Sequence, residues 1–458
     1  MTQKDKDDMQ MQSGQSQPVN NTVALTAYNP YDYNGAVVVP NVTSSTFAFP
    51  RAEDGEHSFG CAYGLSETLE RMDPDGTRPM MDIYARLSNP AVRACEASMK
   101  ALEPNSDWAF VFPSGMGALC TLVYSCCFQS LSCEADGSPG PKRDAIIHSR
   151  PLYGGTHAFM HAVVQRFGFV NVEVDFRDAS ALRKALETYG DRIGLVFCET
   201  PANPTLDMID IRATREIMEE VFEGGRVPIL AVDNTFMGIF QQPLGLGADI
   251  VLYSATKFLG GHSDLIAGFL VGRSGPTTKL KPFIGEVTDV PIEGAIMAMR
   301  TIGGYTTSSD VAQRLWTHMN TYPLRMRRES EVATVVAQWL ATHPKIAEVR
   351  FPTLLTGEAK EVYERQCLGP SSMIAFRLDP DTKEAAFSFL NALKHCVRAV
   401  SLGCVHTYAN HPATWTHSDI APDDQASMGI TPGLLRLSIG IEEPEDLIAD
   451  LNQALNAV

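Results

Sequence analysis

The sequence has no apolar run long enough to cross a membrane, although 44% of its 458 residues are hydrophobic. Basic side chains are also few: 37 Lys and Arg stand against 54 Asp and Glu, giving a formal net charge of −17. Nucleic acids and anionic membrane surfaces are bound through basic faces. The charge balance therefore argues against both partners, but it leaves room for an anionic small ligand in a local pocket.

Paired cysteine motifs are missing too. The ten cysteines are scattered without a C-x-x-C cluster, which argues against a cysteine zinc site and a disulfide framework. Buried free thiols are typical of a cytoplasmic protein, and we expect that location. Several histidines show no metal-ligand spacing, and we predict no metal site: His148, His157, His406, His411 and His417.

The N-terminal region carries little signal for regular structure. Residues 1–20 are polar and lack the apolar segment of a signal peptide, so we predict a disordered tail. An N-terminal arm is predicted over 21–83, and Pro40 favours an extended conformation there. Within it, residues 51–80 are rich in Gly, Glu, Asp and Met without a clear period, which indicates an inserted loop.

Between about residue 107 and residue 272, apolar strand-like runs alternate with helical patterns. Such alternation is typical of an α/β fold with a mostly parallel, doubly wound sheet. The predicted strands are DWAFVF, DAIIHS, VEVDF, IGLVFCE, PILAVDN, DIVLYSA and AGFLVG. Further on, the order helix, strand, helix, strand, strand, helix indicates a smaller α+β domain. We divide the chain into a main domain, 84–310, and a C-terminal domain, 311–458.

Polar groups follow several of these strands, and ligands of open α/β sheets bind beyond the carboxyl ends of the strands. Lys257 follows one strand, at a position where a reactive amine is useful, with Ser254 and Thr256 as donors to a neighbouring anion. Gly115 and Met116 open an apolar helix whose N–H groups could also hold an anion. The alternatives are an exposed lysine after a strand and a tight packing turn.

Asp233 and Tyr153 each have two interpretations. A carboxylate at a buried strand end needs a partner, which a protonated heterocyclic nitrogen would supply. Alternatively, Asp233 caps a helix through the following Asn234 and Thr235. Tyr153 precedes two glycines and could lay its ring against a ligand, or it could be a core aromatic at a turn.

Arg436 lies among leucines in the strand-like run LLRLSIG. A buried arginine suits a carboxylate ligand, while a structural ion pair to Glu442 or Glu443 is the alternative. Together with the groups above, it completes the set that a pyridoxal-phosphate enzyme acting on an amino acid requires: an amine, an anion cradle, a ring-nitrogen partner, a stacking ring and a carboxylate clamp.

The sequence resembles the Cys/Met metabolism (trans-sulfuration) family of pyridoxal-phosphate enzymes from about residue 35 to the C-terminus, with 51–80 unmatched. The motifs that carry the resemblance are YARLSNP, PSGMGA, LYGGTH, ETPANPTLDMIDI, VDNTF, SATKFLGGHSD, AVSLG and LRLSIGIE. The resemblance implies fold type I, similar to aspartate aminotransferase, with cofactor bound by 84–310 and a substrate domain at 311–458.

The resemblance also implies roles for individual positions. Lys257 would bind the cofactor covalently and move the substrate protons, and Tyr153 would stack on the ring. Asp233 would keep the ring nitrogen protonated, with Glu199 as an organiser nearby. The other implied cofactor contacts are Gly115, Met116, Thr235, Ser254 and Thr256, with Tyr84 and Arg86 reaching the neighbouring subunit. The implied contacts of the substrate carboxylate are Asn203, Ser401 and Arg436.

These roles predict α,γ-elimination from a γ-substituted L-amino acid such as methionine, a homoserine derivative or canavanine, or a γ-replacement, in a homo-oligomer. A dimer of dimers with shared active sites is implied. Alternatives are an O-acyl-homoserine sulfhydrylase or cystathionine γ-synthase, a β-lyase for cystathionine or cysteine conjugates, and a non-catalytic ligand-binding scaffold. Gly155 and Val400 depart from residues usual in methionine γ-lyases and cystathionine γ-lyases respectively, whereas SSMIAFRL and HPATWTHS resemble the methionine γ-lyase branch.

Overall fold

The computed structural model describes Val19 and residues 21–63, 80–127, 143–280 and 288–458. Most of the predicted tail 1–20 lies outside these residues, as does much of the predicted loop 51–80. The described first part of that loop is helical instead, over Ala52–Tyr63. Its buried positions include Asp54, His57 and Ser58, at helical spacing but without apolar side chains. The hydrophobic pattern therefore gave no indication of this helix.

The main sheet contains seven strands, and each coincides with or overlaps a predicted run. They are Trp108–Phe112 (β1), Ala145–Ser149 (β2), Val170–Val174 (β3), Ile193–Glu199 (β4), Ile229–Asp233 (β5), Ile250–Tyr253 (β6) and Gly268–Gly272 (β7). Their order is β1-β7-β6-β5-β4-β2-β3. Within this sheet β7 is antiparallel to both neighbours and the other six strands share one direction. The predicted α/β fold is confirmed, and six carboxyl ends share one rim.

Helices cover both faces of this sheet. In chain order the helices up to residue 319 are Asn21–Thr26 (α1), Ala52–Tyr63 (α2), Pro90–Leu102 (α3), Gly115–Cys127 (α4), Gly154–Ala158 (α5), Ala179–Tyr189 (α6), Ile211–Val221 (α7), Ile292–Gly303 (α8) and Ser309–Met319 (α9). Because side chains alternate along a strand, β4 directs Leu195 and Phe197 into the core with α4 and α8. Val196 and Cys198 point into the opposite core with α6 and α7.

The main domain also contains a short π-helix and a small two-stranded sheet. A π-helix, Phe159–Val163, follows α5 directly, and Thr277–Leu280 (β8) pairs with Thr288–Pro291 (β9). The predicted domain boundary at residue 311 falls inside α9, whose Ala312, Leu315 and Trp316 lie in one hydrophobic cluster with α3. Among the described residues, every helix is too short or too polar to span a bilayer.

The C-terminal part forms a second, mostly antiparallel sheet of order β10-β11-β14-β13-β12. Its elements are Tyr322–Leu340 (α10), Ile346–Arg350 (β10), Gly357–Gln366 (α11), Met373–Leu378 (β11), Lys383–Ala392 (α12), Val397–Arg398 (β12), Tyr408–Asn410 (β13), Pro422–Ser427 (α13), Leu434–Ser438 (β14) and Pro444–Leu455 (α14). Helices α10, α12 and α14 share a core with this sheet. The run AVSLG (399–403), one of the three strands counted in the predicted order of this domain, is a bend and loop instead. It lies against the main domain through Ser401 and Gly403.

Candidate active site

The strands β4, β5 and β6 end side by side, and the groups at and just beyond their ends line one partly accessible rim of the sheet, which is called the cleft below. Glu199 of β4 is the register partner of Asp233 at the end of β5. The strand β6 is fully buried, whereas Ser254, Thr256 and Lys257 just beyond it stay partly accessible. The change from buried to accessible residues marks an opening at the carboxyl ends of the strands, where a ligand of this fold class binds.

Lys257 contacts the second domain. Its Nζ lies 3.0 Å from the Oγ of Ser401. The loop carrying Ser401 can approach so closely because Gly403, at a φ of +67°, follows: a Cβ there would lie 2.6 Å from the backbone nitrogen of Phe258. Burial, and next the charge of Arg436, lowers the pKa of Lys257 to about 8. The amine can therefore lose its proton close to neutral pH.

No cationic side chain in the described part of the chain forms an ion pair with the carboxylate of Asp233. The Oδ1 of this carboxylate accepts a hydrogen bond from the N–H of Thr235 at 2.9 Å. The carboxylate lies deep in the molecule yet keeps some solvent access, as expected at the floor of an open cleft. Burial raises its pKa to about 6. The alternative of a helix N-cap is wrong, because a turn follows Asp233 rather than a helix.

Glu199 joins two loops of the rim. Its Oε2 accepts the N–H of Tyr153 and its Oε1 accepts the N–H of Asn203, both at 2.8 Å. Burial, and next the charge of Asp233, raises the pKa of Glu199 well above its ordinary value. This carboxyl group thus acts on the position of Tyr153 and Asn203 rather than on a ligand directly.

Arg436 of β14 is fully buried beside the same cleft. Its Nη1 donates to the Oδ1 of Asn203 at 2.7 Å, and its Nη2 donates to the carbonyl oxygens of Val400 and Ser401 at 3.2 and 3.3 Å. Its Nε has no hydrogen-bond partner within the described part of the chain. Burial lowers the pKa of Arg436 to about 10, which leaves the guanidinium charged at neutral pH.

The structural ion pair considered for Arg436 does not form. Glu442 accepts the N–H of Thr407 instead, and Glu443 pairs with Arg328 at 2.8 Å. Among the described residues, no carboxylate makes an ion pair with Arg436. A buried guanidinium whose partners are neutral oxygens still lacks a counter-charge, which a ligand carboxylate can supply.

The first turn of α4 lies against Ser254. A Cβ on Gly115 would lie 3.0 Å from the Cβ of Ser254, so a glycine lets the two loops meet. The first N–H groups of a helix have no intrahelical partner, which applies to Gly115 and Met116. This arrangement can hold an anion such as a phosphate.

The two threonines of the rim are already engaged. Thr235 accepts the N–H of Ser254 through its Oγ1 at 2.9 Å. The Oγ1 of Thr256 accepts the N–H of Ala267 at 3.1 Å and lies 3.2 Å from the carbonyl oxygen of Ala267. Both hydroxyls hold the loops together, and the hydroxyl proton of Thr256 is directed to Ala267.

Tyr153 is not a core aromatic, since 42% of its surface is exposed. Its ring lies against Gly155: a Cβ at that position would be 2.6 Å from the Cε1 of Tyr153. The absence of a side chain at Gly155 therefore allows the ring its present position. Tyr153 forms a wall of the cleft, with its backbone N–H fixed by Glu199.

Tyr84 and Arg86 lie on the surface, and no described hydrogen bond joins them to the cluster around Lys257. The guanidinium of Arg86 donates to the carbonyl oxygen of Thr301 and lies 5.7 Å from the ring centroid of Tyr84. Within one chain the two side chains remain exposed.

Two neighbours of the site carried no recognisable signal in the sequence. The Oγ of Ser149, at the end of β2, accepts the N–H of Glu199 at 3.2 Å. His417 is buried near Arg436, and burial, followed by the charge of Arg436, lowers its pKa to about 4. Neither residue is close in sequence to the group it lies beside, and only the fold brings them together.

Comparisons with known proteins agree with this geometry. A family model described as Cys/Met metabolism PLP-dependent enzyme matches residues 21–456.

The chain belongs to this family.

Two similar curated proteins are the L-methionine gamma-lyases of Pseudomonas deceptionensis and Treponema denticola. The first is 35% identical over 432 residues, covering 94% of this chain and 95% of the relative. The second is 36% identical over 423 residues, covering 92% and 93%. A crystal structure of cystathionine gamma synthase from Xanthomonas oryzae pv. oryzae, in complex with aminoacrylate and cysteine, has a TM-score of 0.78 and 29% identity, covering 95% of this chain and 97% of that one.

The protein is thus an enzyme that uses pyridoxal phosphate, and its cleft fits that cofactor. The unpaired carboxylate of Asp233 suits a protonated ring nitrogen. The close approach of Gly115 to Ser254 leaves a helix N-terminus where a phosphate can bind. Lys257 supplies an amine whose pKa is lowered towards neutrality.

Proposed function

We propose that this enzyme catalyses α,γ-elimination from a γ-substituted L-amino acid, such as methionine, a homoserine derivative or canavanine. The elimination and the uptake of one water yield the protonated leaving group, a 2-keto acid and ammonia. The L-methionine gamma-lyases named above support this class of reaction, as do the groups that line the cleft.

One observation carries the proposal: the amine of Lys257 and the guanidinium of Arg436 both contact Ser401. The amine lies 3.0 Å from the Ser401 hydroxyl, and the Arg436 Nη2 lies 3.3 Å from the Ser401 carbonyl oxygen. A substrate carboxylate that pairs with Arg436 thus brings its α-carbon towards Lys257. The site is built for an α-amino acid.

The proton chemistry is assigned to Lys257. Bound pyridoxal phosphate withdraws electrons from the α-carbon of an amino acid and so makes its Cα–H bond acidic. Lys257 then takes the proton from Cα and serves again at Cβ, for which a pKa near neutrality is suited. The Ser401 hydroxyl holds the amine on the side of the cleft that faces the substrate.

The remaining residues hold cofactor and substrate in place. Asp233 would keep a proton at the ring nitrogen of the bound cofactor, and the α4 N-terminus with Ser254 would hold its phosphate. Asn203 accepts a hydrogen bond from Arg436 and so orients the carboxylate clamp. Tyr153 would lie against the cofactor ring and beside the leaving group, at a position that Glu199 sets through the Tyr153 N–H.

A γ-replacement is the second candidate, in which a nucleophile adds at Cγ instead of water completing the elimination. The structural likeness to the cystathionine gamma synthase favours it. Gly155 bears on the choice between elimination and replacement. Because it has no side chain, the ring of Tyr153 can lie against it, and this ring forms the proposed wall next to the leaving group.

The proposed assembly is a homodimer, paired into a tetramer, in which Tyr84 and Arg86 reach the phosphate of the neighbouring subunit. Both side chains are exposed in the single chain, as such a role requires. A cytoplasmic location belongs to the same proposal and is supported by nine described cysteines that are all free thiols.

The product decides between the reactions. The purified holoenzyme is incubated with a panel of γ-substituted amino acids and with cystathionine, and keto acid and ammonia are measured. We expect 2-oxobutyrate from at least one γ-substituted substrate. Pyruvate as the main product of cystathionine would indicate a β-lyase, and product formation only with an added thiol would indicate γ-replacement. No turnover despite bound cofactor would favour a binding scaffold.

A further inference from the structure

Three potential metal ligands meet beside the strands β2 and β3. His148 of β2 is the register partner of Glu173 of β3. His161 lies in the π-helix that follows α5, an element that often marks functional sites. One ligand atom from each residue lies within 4.8 Å of the other two. The sequence predicted no metal site, because these residues come from three separate elements and show no local spacing.

His148 is the most informative of the three, since its side chain is 0% exposed. Its Nδ1 lies 2.9 Å from the carbonyl oxygen of Ser149, which can only accept, so Nδ1 carries the proton. The Nε2 therefore presents a lone pair, and it has no hydrogen-bond partner among the described residues. A ring that donates its other N–H to a backbone carbonyl is the usual state of a metal-binding histidine.

His161 and Glu173 are already at a suitable separation. The Nε2 of His161 lies 3.4 Å from the Oε2 of Glu173. Ligand atoms of a tetrahedral Zn²⁺ site with bonds of about 2.0–2.1 Å lie roughly 3.4 Å apart. Both side chains are partly exposed, at 38% and 23%, and can move the remaining distance towards the buried His148.

Competing contacts at these two residues are weak. The Nδ2 of Asn171 lies 3.4 Å from each ring nitrogen of His161, so it is aligned with neither lone pair. Arg150 approaches Glu173 only to 3.8 Å, and its side chain is 46% exposed. The side chain of Asn171 also lies against the His148 ring, so a cation placed between the three ligands would displace this amide and break no hydrogen bond shorter than 3.4 Å.

We infer that His148, His161 and Glu173 bind a divalent transition metal, Zn²⁺, with a water as the fourth ligand. Two imidazoles and one carboxylate suit Zn²⁺, whereas Mg²⁺ and Ca²⁺ require oxygen ligands. The ion would join β2, whose Ser149 holds Glu199, to the helical segment that begins beside Tyr153. Its binding would fix the segment that carries this wall of the active site.

The test uses the holoenzyme, freed of metal with a chelator and then titrated with zinc chloride near neutral pH. Bound zinc is measured by atomic absorption after equilibrium dialysis. We expect one equivalent per chain, and a loss of affinity of roughly tenfold or more in His161→Gln and in Glu173→Gln. His395→Gln, at an exposed histidine elsewhere, is the matched control and should bind like the wild type.

Anomalous diffraction from a zinc-soaked crystal locates the ion independently of any variant. A peak between the three side chains supports the site. Peaks at cysteine thiols alone, or zinc affinities that are equal in the wild type and both triad variants, would overturn it.

Discussion

The amine of Lys257 lies 3.0 Å from the hydroxyl of Ser401, across the junction between the two domains. The same serine accepts a hydrogen bond from Arg436 through its carbonyl oxygen. One loop of the C-terminal part thus aligns the proposed base with the proposed carboxylate clamp. The loop can lie there because Gly403 accepts a left-handed conformation against Phe258.

Ser401→Ala should lower kcat/KM by about tenfold, since the amine loses the hydroxyl that orients it while the carbonyl contact to Arg436 is kept. Steady-state kinetics with the substrate found in the product screen measures this. Ser427→Ala, at an exposed hydroxyl, is the control. A Ser401→Ala enzyme with unchanged kinetics would remove this serine from the mechanism.

Arg436→Leu should raise the pKa of Lys257, because removing a nearby positive charge favours the protonated amine. In the cofactor-free wild type, acylation of Lys257 should reach half its maximal rate near pH 8, where its pKa lies. The variant's midpoint should lie at higher pH. Peptide mass spectrometry measures the acylation of Lys257, with the exposed Lys184 as internal reference. Equal acylation midpoints in the wild type and in Arg436→Leu would contradict the influence assigned to Arg436.

Asp233→Asn should stabilise the cofactor-free protein at pH 8 by about 1–3 kcal/mol while abolishing most activity. The folded-state pKa of about 6 lies above the ordinary aspartate pKa of 3.8, so the ionised group opposes folding at high pH. This penalty shrinks as the pH falls towards the unfolded-state value. Urea unfolding at pH 8 and pH 5 tests the sign: a variant that is less stable at pH 8 would contradict it.

Gly155→Ala should lower kcat/KM by about tenfold or more, because the added Cβ would lie 2.6 Å from the ring of Tyr153 and force it to move. Gly294→Ala is a matched control: this glycine is also helical, and an added Cβ there meets nothing within 4 Å. Kinetics across the substrate panel measure the effect. Equal activity of both variants would show that the ring position does not limit turnover.

Mixed protomers test the shared active site. Arg86→Ala and Lys257→Ala enzymes, each inactive, should recover up to about a quarter of wild-type activity after subunit exchange, since half of the dimers are mixed and each carries one intact site. Exchange is verified with differently tagged subunits. Mixing Arg86→Ala with Tyr84→Ala should give no recovery, and failure of the first pair despite exchange would contradict sharing.

The main sheet could be predicted from the sequence because each strand is a short apolar, β-branched run between turn residues. The groups beyond β5 and β6 could be predicted for the same reason, since parallel strands place them at one rim. Helix α2 could not, because its buried positions are polar or glycine.

Contacts between segments that are distant in the sequence could not be predicted from local sequence patterns. Nothing local links Ser401 to Lys257, Ser149 to Glu199, or His148 to His161. The hydrogen bond between the Thr256 hydroxyl and the N–H of Ala267 is likewise not indicated by any pattern in the sequence. The proposed roles of Tyr84 and Arg86 concern a second subunit and are tested by the mixed protomers.

Lys257 is the residue that we propose holds pyridoxal phosphate. Borohydride reduction of the holoenzyme, followed by digestion and peptide mass spectrometry, tests it directly. We expect the reduced cofactor on the peptide containing Lys257, with loss of activity in proportion to the modification. Cofactor fixed to another lysine, or an active enzyme with Lys257 unmodified after full reduction, would contradict it.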